Sequence, residues 1–403
     1  MNRDNASQNN DFEKNKIEKN VIALGWVAFF GGLAQDMIQP ILPTFYVSVL
    51  GLNKEFIGLI EGSLTTVVSL VKIGAGYLSD ALGVRKIIVF IGYAFSAFAR
   101  FTLGFAGNAI GVFGLRLTDG VGKGLKDAPR DALVAGSSGK RKLGFSFGIQ
   151  RTLDTLGSVA GPLIAYSLLN LWVDHPNKYR EIFFVAGLIA FVPLLIIGFW
   201  VKERKQPIKK QIISLKTIKG SFLGFLFIML LFTLGNSSDA FLILRAEDVG
   251  VASVTIPLVI ALFNLVSALT AIPVGKLSDQ IGRRKAIMIG WGIYALAYFG
   301  FALANKPWMV WMLFAFYGLY YAFTEGSAKA MVAELVPEEN RGAAYGLFNA
   351  SIGVMALPAS VIAGYLWNVS VFAPFAFGAL MAFLAFIALQ FLPKTQMDSE
   401  AAN

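Results

Sequence analysis

The chain has 403 residues, of which 56% are hydrophobic and only 15% are charged, whereas soluble domains usually carry about 25% charged residues. This deficit, with many long apolar stretches, indicates an integral membrane protein. The sequence contains no Cys and a single His, His175, which excludes disulfide bonds and argues against thiolate or His-based metal sites. We therefore expect no cofactor and no metal. The net charge of +10 does not indicate nucleic-acid binding, because the Lys and Arg residues concentrate in alternate loops between apolar segments.

The apolar stretches predict the helices in chain order. A polar tail, 1–20, precedes the first stretch, which is too long for a cleavable signal peptide. Because about 20 apolar residues cross a bilayer, the first half is predicted to form helices near 21–46, 55–79, 86–106, 108–131, 143–169 and 180–201. The second half is predicted to form helices near 221–245, 253–277, 285–304, 307–335, 341–368 and 371–392. Two six-helix bundles, 21–201 and 221–392, are thus joined by a basic linker, 202–220, and followed by a tail, 393–403.

The loops predict the orientation. Lys and Arg residues cluster in the linker and in the connections at 80–86, 136–142 and 278–285, and they are sparse in the intervening connections. Basic loops stay on the cytoplasmic side of a membrane. Both termini and the linker are therefore predicted to be cytoplasmic.

A repeated motif relates the two halves. Gly76–Lys86 reads GYLSDALGVRK, and Gly275–Lys285 reads GKLSDQIGRRK at the corresponding place of the second half. Repeats of the same topology place a substrate site at their interface, near the middle of the membrane. The sequence therefore predicts a central site between two similar halves.

These two motifs resemble the loop 2–3 and loop 8–9 signatures of the major facilitator superfamily, and the resemblance extends over about residues 20–393. It implies an all-α membrane protein of about twelve transmembrane helices in two pseudo-symmetric six-helix bundles. The segment DGVGKGLKDAPRDALVA, residues 119–135, also resembles a prokaryotic branch of the superfamily. The expected location is therefore the inner (cytoplasmic) membrane of a bacterial-type cell.

The resemblance also implies a gating role for the repeated motif. Asp80 is expected to make a charge contact that closes the cytoplasmic side and breaks on inward opening. Gly76 is expected to let helices approach closely, and Gly83 to permit a tight turn. The alternative is an anchor for topology without a gating role. The candidate gating residues are Gly76, Asp80, Gly83, Arg85, Lys86, Gly275, Asp279, Gly282, Arg283 and Arg284.

Predicted helix 4 carries charge inside an apolar region, which is costly in a bilayer and marks a candidate functional site. Arg116, Asp119, Lys123, Asp127 and Arg130 follow steps of three and four, so they share one helical face with alternating sign. The Arg that opens this series lies deepest. It resembles the helix 4 signature of the superfamily, in which an Arg is linked to proton transfer, although Asp119 stands where that pattern often has Gln.

The later charged residues of helix 4 are expected to act differently. Lys126, Asp127, Arg130 and Asp131 run toward the cytoplasmic end of the predicted helix. We expect them to form an inner gate beside Asp80. A self-neutralising ladder that packs against a neighbouring helix is the alternative.

Predicted helix 5 contains Gly157, Gly161 and Pro162. Small residues four apart permit a close helix crossing, and a Pro bends a helix by removing a backbone hydrogen bond. The element partly resembles the superfamily signature associated with antiporters, without its later glycine pair, and it favours export. On the same helix, Arg151 and Asp154 are spaced to pair.

Two acidic residues, Asp36 in helix 1 and Asp239 in helix 7, occupy comparable places in the two halves. The resemblance implies that these helices line the cavity. A low dielectric favours the neutral form of a carboxyl group, which suits a proton carrier, and Asp36 is the first candidate. Isolated charges in helix 2, Glu61 and Lys72, are further candidates, and Glu325 and Lys329 are expected to neutralise each other. The candidate proton-coupling and cavity residues are Asp36, Arg100, Arg116, Asp119, Arg151, Asp154 and Asp239.

The sequence thus predicts a secondary active transporter that moves a small organic solute by alternating access, with proton-coupled efflux (antiport) favoured. Uptake by symport of an anionic metabolite or a siderophore-like chelator stays open, because Arg100, Arg116 and Arg151 suit an anionic group. An amphipathic drug would also be compatible, and a non-transporting receptor is a remote alternative. No nucleophile–base pair is visible, so we expect no enzyme. The expected partners are the small-molecule substrate, protons and the lipid bilayer, with the protein as a monomer.

Overall fold

The computed structural model describes residues 19–138, 143–203, 220–337 and 340–393, which form twelve helices joined by short loops. The first six are helix 1 (Lys19–Ser48), helix 2 (Lys54–Leu82), helix 3 (Lys86–Leu103), helix 4 (Ala109–Ser137), helix 5 (Leu143–Leu171) and helix 6 (Lys178–Phe199). The second six are helix 7 (Gly220–Asp248), helix 8 (Ser253–Ile281), helix 9 (Arg283–Leu303), helix 10 (Pro307–Leu335), helix 11 (Arg341–Val369) and helix 12 (Phe372–Gln390). Helix 1 is interrupted between Ile38 and Leu42, and helix 7 between Gly235 and Ala240.

The predicted all-α architecture of twelve helices is confirmed, and the largest difference is the end of helix 4. This helix continues to Ser137, six residues beyond the predicted end at 131, because its charged residues find partners on neighbouring helices and need not leave the membrane. In the described part of the chain, nine helices are long and apolar enough to span a membrane. Helices 4, 5 and 10 fall outside that group, and they carry many of the charged residues of the site. Most of the predicted N-terminal tail, of the linker and of the C-terminal tail lies outside the described residues.

The two halves meet through two equivalent helix pairs. Helix 2 packs against helix 11, and helix 5 packs against helix 8. Because helices 2 and 8 correspond in the repeat, as do helices 5 and 11, the two pairs are related by the internal pseudo-symmetry. The interface between the halves therefore has the arrangement that the repeated motif predicts.

Helices 2 and 11 approach so closely that several glycines are required between them. A Cβ atom added at Gly58 would lie 2.2 Å from the carbonyl oxygen of Ser360, and one added at Gly62 would lie 2.8 Å from the Cα of Leu357. On the other helix, a Cβ at Gly364 would lie 2.5 Å from the carbonyl oxygen of Lys54. Small residues permit such close crossings in membranes. The backbones of the two halves are thus in direct contact here.

The contact closes one side of the molecule. We call the side that carries the loops around Gly83 and Gly282 the signature side. On the opposite side, Thr44 donates a hydrogen bond of 2.6 Å to Glu247, and Asn368 donates one of 2.5 Å to Glu55. Both bonds join the first half to the second. The structure is therefore closed on the side opposite the repeated motif.

The glycines of the repeated motif behave in two ways. Gly83 has a φ of +64° and Gly282 a φ of +89°, a region that favours glycine. At Gly76 an added Cβ would be in ordinary van der Waals contact with helix 4. The nearest atom to an added Cβ is that of Ala128 at 3.6 Å, and Gly275 has open space around it.

Candidate transport site

A buried ion pair lies in the first half. The Nη2 atom of Arg116 is 3.0 Å from both carboxylate oxygens of Glu61 on helix 2. Tyr46 donates a hydrogen bond of 3.2 Å to the same carboxylate. The side chains of Arg116 and Glu61 are 9% and 13% exposed, and charge-assisted hydrogen bonds are strong in such surroundings. The structure therefore gives Glu61, which the sequence suggests only as an isolated candidate, a defined partner.

The pair extends into a network around Asp119. This carboxylate lies 3.2 Å from Arg100 of helix 3, 3.5 Å from Arg116 and 3.3 Å from Lys123. Arg100 also donates hydrogen bonds to the carbonyl oxygen of Gly31 and the side chain of Gln35. Three cations thus face two carboxylates, so the network carries an excess of one positive charge. Arg100 thus forms its ion pair with Asp119.

The network borders a central cavity between the halves. The cavity has a volume of about 260 Å³ and is lined by Glu61, Arg116 and Lys123 from the first half. The second half lines it with the interrupted segment of helix 7, residues 236–239, and with Tyr321 and Ser360. An interrupted helix at the midpoint of the membrane exposes polar backbone and side-chain groups, which is typical of transporter binding sites.

The second half contributes Asp239, which the structure surrounds with tyrosines. Tyr317 donates a hydrogen bond of 2.7 Å to its carboxylate, and Asn236 donates one of 3.3 Å to Tyr320. Tyr321 packs edge-on against Tyr317, with ring centroids 5.4 Å apart. Among the described residues, no Lys or Arg forms an ion pair with Asp239. This half of the cavity therefore carries one carboxylate without a cationic neighbour.

A larger vestibule leads away from the central cavity. Its volume is about 870 Å³, and its lining reaches from Ser158 and Tyr321 to Asp279 and Arg283 on the signature side. Arg151 of helix 5 lies 3.5 Å from Glu325 of helix 10 across this space and 4.0 Å from Asp154. The structure therefore has an opening toward the signature side. Glu325 is also 3.1 Å from Lys329, as the spacing predicts.

Asp36 and Asp154 lie on facing parts of helices 1 and 5. The hydroxyl group of Ser158 faces the Asp36 carboxylate, and Asp154 is one of the charged groups near it. A Cβ atom added at Gly32, one turn before Asp36, would lie 3.1 Å from the Asp154 carboxylate. Asp36 forms no ion pair within the described residues. It therefore differs from Asp119, which three cations hold.

The later charges of helix 4 contact helices 2, 3 and 5 and not Asp80. The ammonium group of Lys126 lies 4.2 Å from the centre of the Tyr93 ring. Asp127 is 3.7 Å from Lys72, Arg130 donates a hydrogen bond to the Tyr93 hydroxyl group, and Asp131 accepts one from Gln150. In this conformation, the contacts match those of a ladder packed against neighbouring helices.

The charged residues of the repeated motif contact groups of their own halves. Arg85 is 2.9 Å from Asp80 and also contacts the carbonyl oxygen of Ala132 on helix 4. In the second half, Arg283 pairs with Asp279 and lies 3.4 Å from Glu334.

The residues at the start of helices 3 and 9 tie each half together. Glu203 accepts the backbone N–H groups of Arg85 and Lys86. Arg284 donates to the carbonyl oxygens of Leu392 and Pro393 after helix 12. No contact of these residues within the described part of the chain joins the two halves, in agreement with an open signature side.

The glycines of helix 5 form the predicted close crossing, and the partner is helix 1. A Cβ atom added at Gly157 would lie 2.2 Å from the carbonyl oxygen of Phe29, and one at Gly161 would lie 2.6 Å from that of Leu33. Pro162 follows within the continuous helix and is buried. The motif thus fixes the position of helix 1 beside Asp36.

Sequence reasoning missed three parts of the site. Tyr46, Tyr317 and Tyr321 give no signal, because aromatic residues are common in membrane helices. Glu61 did carry a signal, since a lone acidic residue in an apolar helix requires a cationic partner, and Arg116 offers the matching charge.

Comparisons with known proteins agree with this architecture. The family model of the Major Facilitator Superfamily matches residues 24–243 and 220–402. An uncharacterized MFS-type transporter of Methanocaldococcus jannaschii is 35% identical over 397 residues, covering 96% of this chain and 98% of the relative. A multi-drug resistance efflux pump PmrA homolog of Lactococcus lactis is 26% identical over 370 residues, covering 86% and 89% of the two chains. The crystal structure of the nucleoside transporter NupG superposes with a TM-score of 0.80 at 13% identity, covering 93% of this chain and 100% of that one.

Two pseudo-symmetric bundles with a polar cavity between them define a multi-pass membrane transporter. The chain belongs to the Major Facilitator Superfamily.

Proposed function

We propose that this protein is a proton-coupled antiporter that exports a small organic solute across the cytoplasmic membrane by alternating access. One observation carries the proposal: the buried network of Glu61, Arg116 and Asp119 borders a cavity that is closed on one side of the membrane and lies next to a vestibule on the other. The basic loops support a cytoplasmic position for the signature side. The structure would then be the inward-open state.

Two features support export. Gly157, Gly161 and Pro162 partly resemble the antiporter signature, and they hold helix 1 against helix 5. Two distant relatives also carry efflux or resistance in their names, the PmrA homolog of Lactococcus lactis and the multidrug resistance protein MdtG of Proteus mirabilis, the latter 27% identical over 311 residues.

Asp36 is the proposed proton carrier. It is half-buried, its hydrogen-bond partner is Ser158, and it lies on the helix that Gly157 and Gly161 position. Asp119 is less suited, because three cations favour its charged form. A carboxyl group that changes its protonation between the two open states couples proton flow to solute flow.

The test uses everted membrane vesicles that contain the protein, acidified inside and reporting internal pH by a quenched dye. A panel of drugs and metabolites is added outside, and a transported solute is expected to release protons and restore fluorescence. Asp36→Asn vesicles should show no recovery, whereas Asp174→Asn, a change at an exposed loop residue, should behave as the unchanged protein. Solute movement that proceeds at the same rate with and without a pH gradient contradicts the coupling. Internal acidification, seen as additional quenching when the solute is added outside right-side-out vesicles, would identify the symporter instead.

A further inference from the structure

The two walls of the central cavity carry opposite charge. On the first-half side, the network of Glu61, Asp119, Arg100, Arg116 and Lys123 has one positive charge in excess. On the second-half side, the acidic group of Asp239 has no cationic partner among the described residues, and Tyr317 is its hydrogen-bond partner. The site is therefore close to neutral in total and strongly polarised across its width.

The positive wall has unused hydrogen-bond donors. The Nε atom of Arg116 is buried and has no hydrogen-bond partner within the described residues, although Arg116 lines the cavity. Lys123 also lines the cavity and contacts one oxygen of Asp119 at 3.3 Å. Buried donors without acceptors are costly. An anionic group in the cavity, such as a carboxylate, would accept hydrogen bonds from the Lys123 ammonium group and offset the excess positive charge of this wall.

The negative wall suits an ammonium group. Asp239 lies in the interruption of helix 7, beside Ser237 and Ser238, which also line the cavity. Tyr321 lines the same space and packs against Tyr317 and Tyr320 at centroid distances of 5.4 and 5.2 Å. Carboxylates and tyrosine rings are the groups that attract an alkylammonium ion. A buried carboxylate without a counter-ion is costly to keep charged, and a bound ammonium group would supply the missing charge.

From these two walls we propose that the substrate is a small zwitterion, with its carboxylate at Arg116 and Lys123 and its ammonium group at Asp239 and Tyr321. The inference rests on the proposed transport function and names the substrate class of the same site. The arginines alone suggest an anionic substrate. The carboxylate of Asp239 on the facing wall adds the requirement for a cationic group on the same molecule. The cavity volume of about 260 Å³ is slightly below the usual range for ligand pockets, about 300–1,000 Å³, so the solute is small.

Ligand binding to the purified protein in detergent tests the proposal without any gradient or transport step. The probes are α-amino acids, ω-amino acids of three to six carbons, and dipeptides, each with its decarboxylated amine and its deaminated acid. At least one zwitterion is expected to raise the midpoint of thermal unfolding by about 2–4 °C or more at saturating concentration. Neither single-charge counterpart should do so. The proposal is wrong if no zwitterion stabilises the protein, or if an amine or an acid alone stabilises it equally.

Variants then test which residues bind the ammonium group and the carboxylate of the zwitterion. Asp239→Asn should weaken binding of the zwitterion at least about tenfold, and Lys123→Gln should weaken it through the carboxylate end. Asp174→Asn serves as the matched control. Tyr317→Phe, which removes the hydrogen bond to Asp239, provides a second variant if Asp239→Asn does not fold. Unchanged affinity in Asp239→Asn contradicts the assignment of the ammonium site. If a zwitterion binds to the purified protein but causes no proton movement in vesicles, the substrate class is supported and the proposed proton coupling is wrong.

Discussion

Arg151 of helix 5 lies 3.5 Å from Glu325 of helix 10 and forms an ion pair across the vestibule between the two halves. Both side chains are largely exposed, at 69% and 46%. Exposed pairs contribute little to the free energy of unfolding. We therefore expect this pair to affect the relative position of the two halves. It joins the first half to the second on the open side of the molecule.

Charge reversal at this pair should change the vestibule and not the fold. Glu325→Arg places a third cation beside Arg151 and Lys329, so repulsion should widen the vestibule and reduce transport. The double variant Arg151→Glu with Glu325→Arg restores the attraction and should recover most of the activity. Distances between spin labels at Leu82 and Gly342 report the opening. Equal distances in the single and double variants would argue against a role in holding the halves.

The buried pair of Arg116 and Glu61, in contrast, should contribute to the stability of the fold as well as to transport. Glu61→Gln leaves a buried guanidinium group without its main partner, which costs about 3–5 kcal/mol, and transport should be lost. The matched control is Lys72→Gln, because Lys72 and Asp127 form a more exposed pair whose loss should cost about 1 kcal/mol or less. Thermal unfolding in detergent measures both.

A double variant separates stability from function at this pair. Glu61→Gln with Arg116→Gln should recover most of the unfolding midpoint because no unpaired charge stays buried. Transport should remain absent. Recovery of transport together with stability would mean that the pair serves only the fold.

The glycines between helices 2 and 11 should control the closed side. Gly58→Ala places a methyl group against the backbone of Ser360, and overpacking of this kind costs about 1–3 kcal/mol. Because only the closed arrangement brings these backbones together, the ratio of closed to open molecules should fall about 5- to 150-fold. Gly74→Ala, on the same helix with open space around it, is the control.

The natural absence of Cys makes this shift simple to measure. A Cys introduced at Ala363, which is 3% exposed on helix 11, should react with an impermeant maleimide much faster in the Gly58→Ala background. Equal rates in the Gly58→Ala and Gly74→Ala backgrounds would contradict the assignment.

Tyr321 should limit passage between the two cavities. It lines both the central cavity and the vestibule, so Tyr321→Ala opens a route between them. A Cys at Ser238, in the lining of the central cavity, should then react at least about tenfold faster with a maleimide added from the signature side. Tyr77→Ala, a change at an exposed Tyr of helix 2 that lines neither cavity, should leave the rate unchanged. If Tyr321→Ala also leaves it unchanged, another element separates the cavities.

Much of the architecture could be predicted from the sequence, because its signals come from local patterns of apolar and charged residues. Apolar length accounts for nine of the helices in the described part of the chain, and the repeated motif around Asp80 and Asp279 predicts two equivalent halves. Local spacing also predicts contacts within one helix, such as Glu325 with Lys329. These features depend on residues that are close in the chain.

The contacts of the site depend on how each helix is oriented about its own axis, and they could not be predicted from local sequence patterns. Arg100 with Asp119, Lys72 with Asp127 and Arg116 with Glu61 each join different helices, and a single sequence gives no measure of which faces meet. The end of helix 4 was missed for the same reason. Its charged residues look exposed until their partners on neighbouring helices are known.

The most direct test of the central claim, alternating access coupled to protonation, is a pair of spin-label distance measurements between the halves. One pair, Leu82→Cys with Gly342→Cys, spans the signature side, and the other, Val49→Cys with Val369→Cys, spans the opposite side. We predict two populations whose distances change in opposite directions, with a ratio that depends on pH in the otherwise unchanged protein and not in Asp36→Asn. A single population at every pH, or the same pH dependence in Asp36→Asn, would contradict the claim.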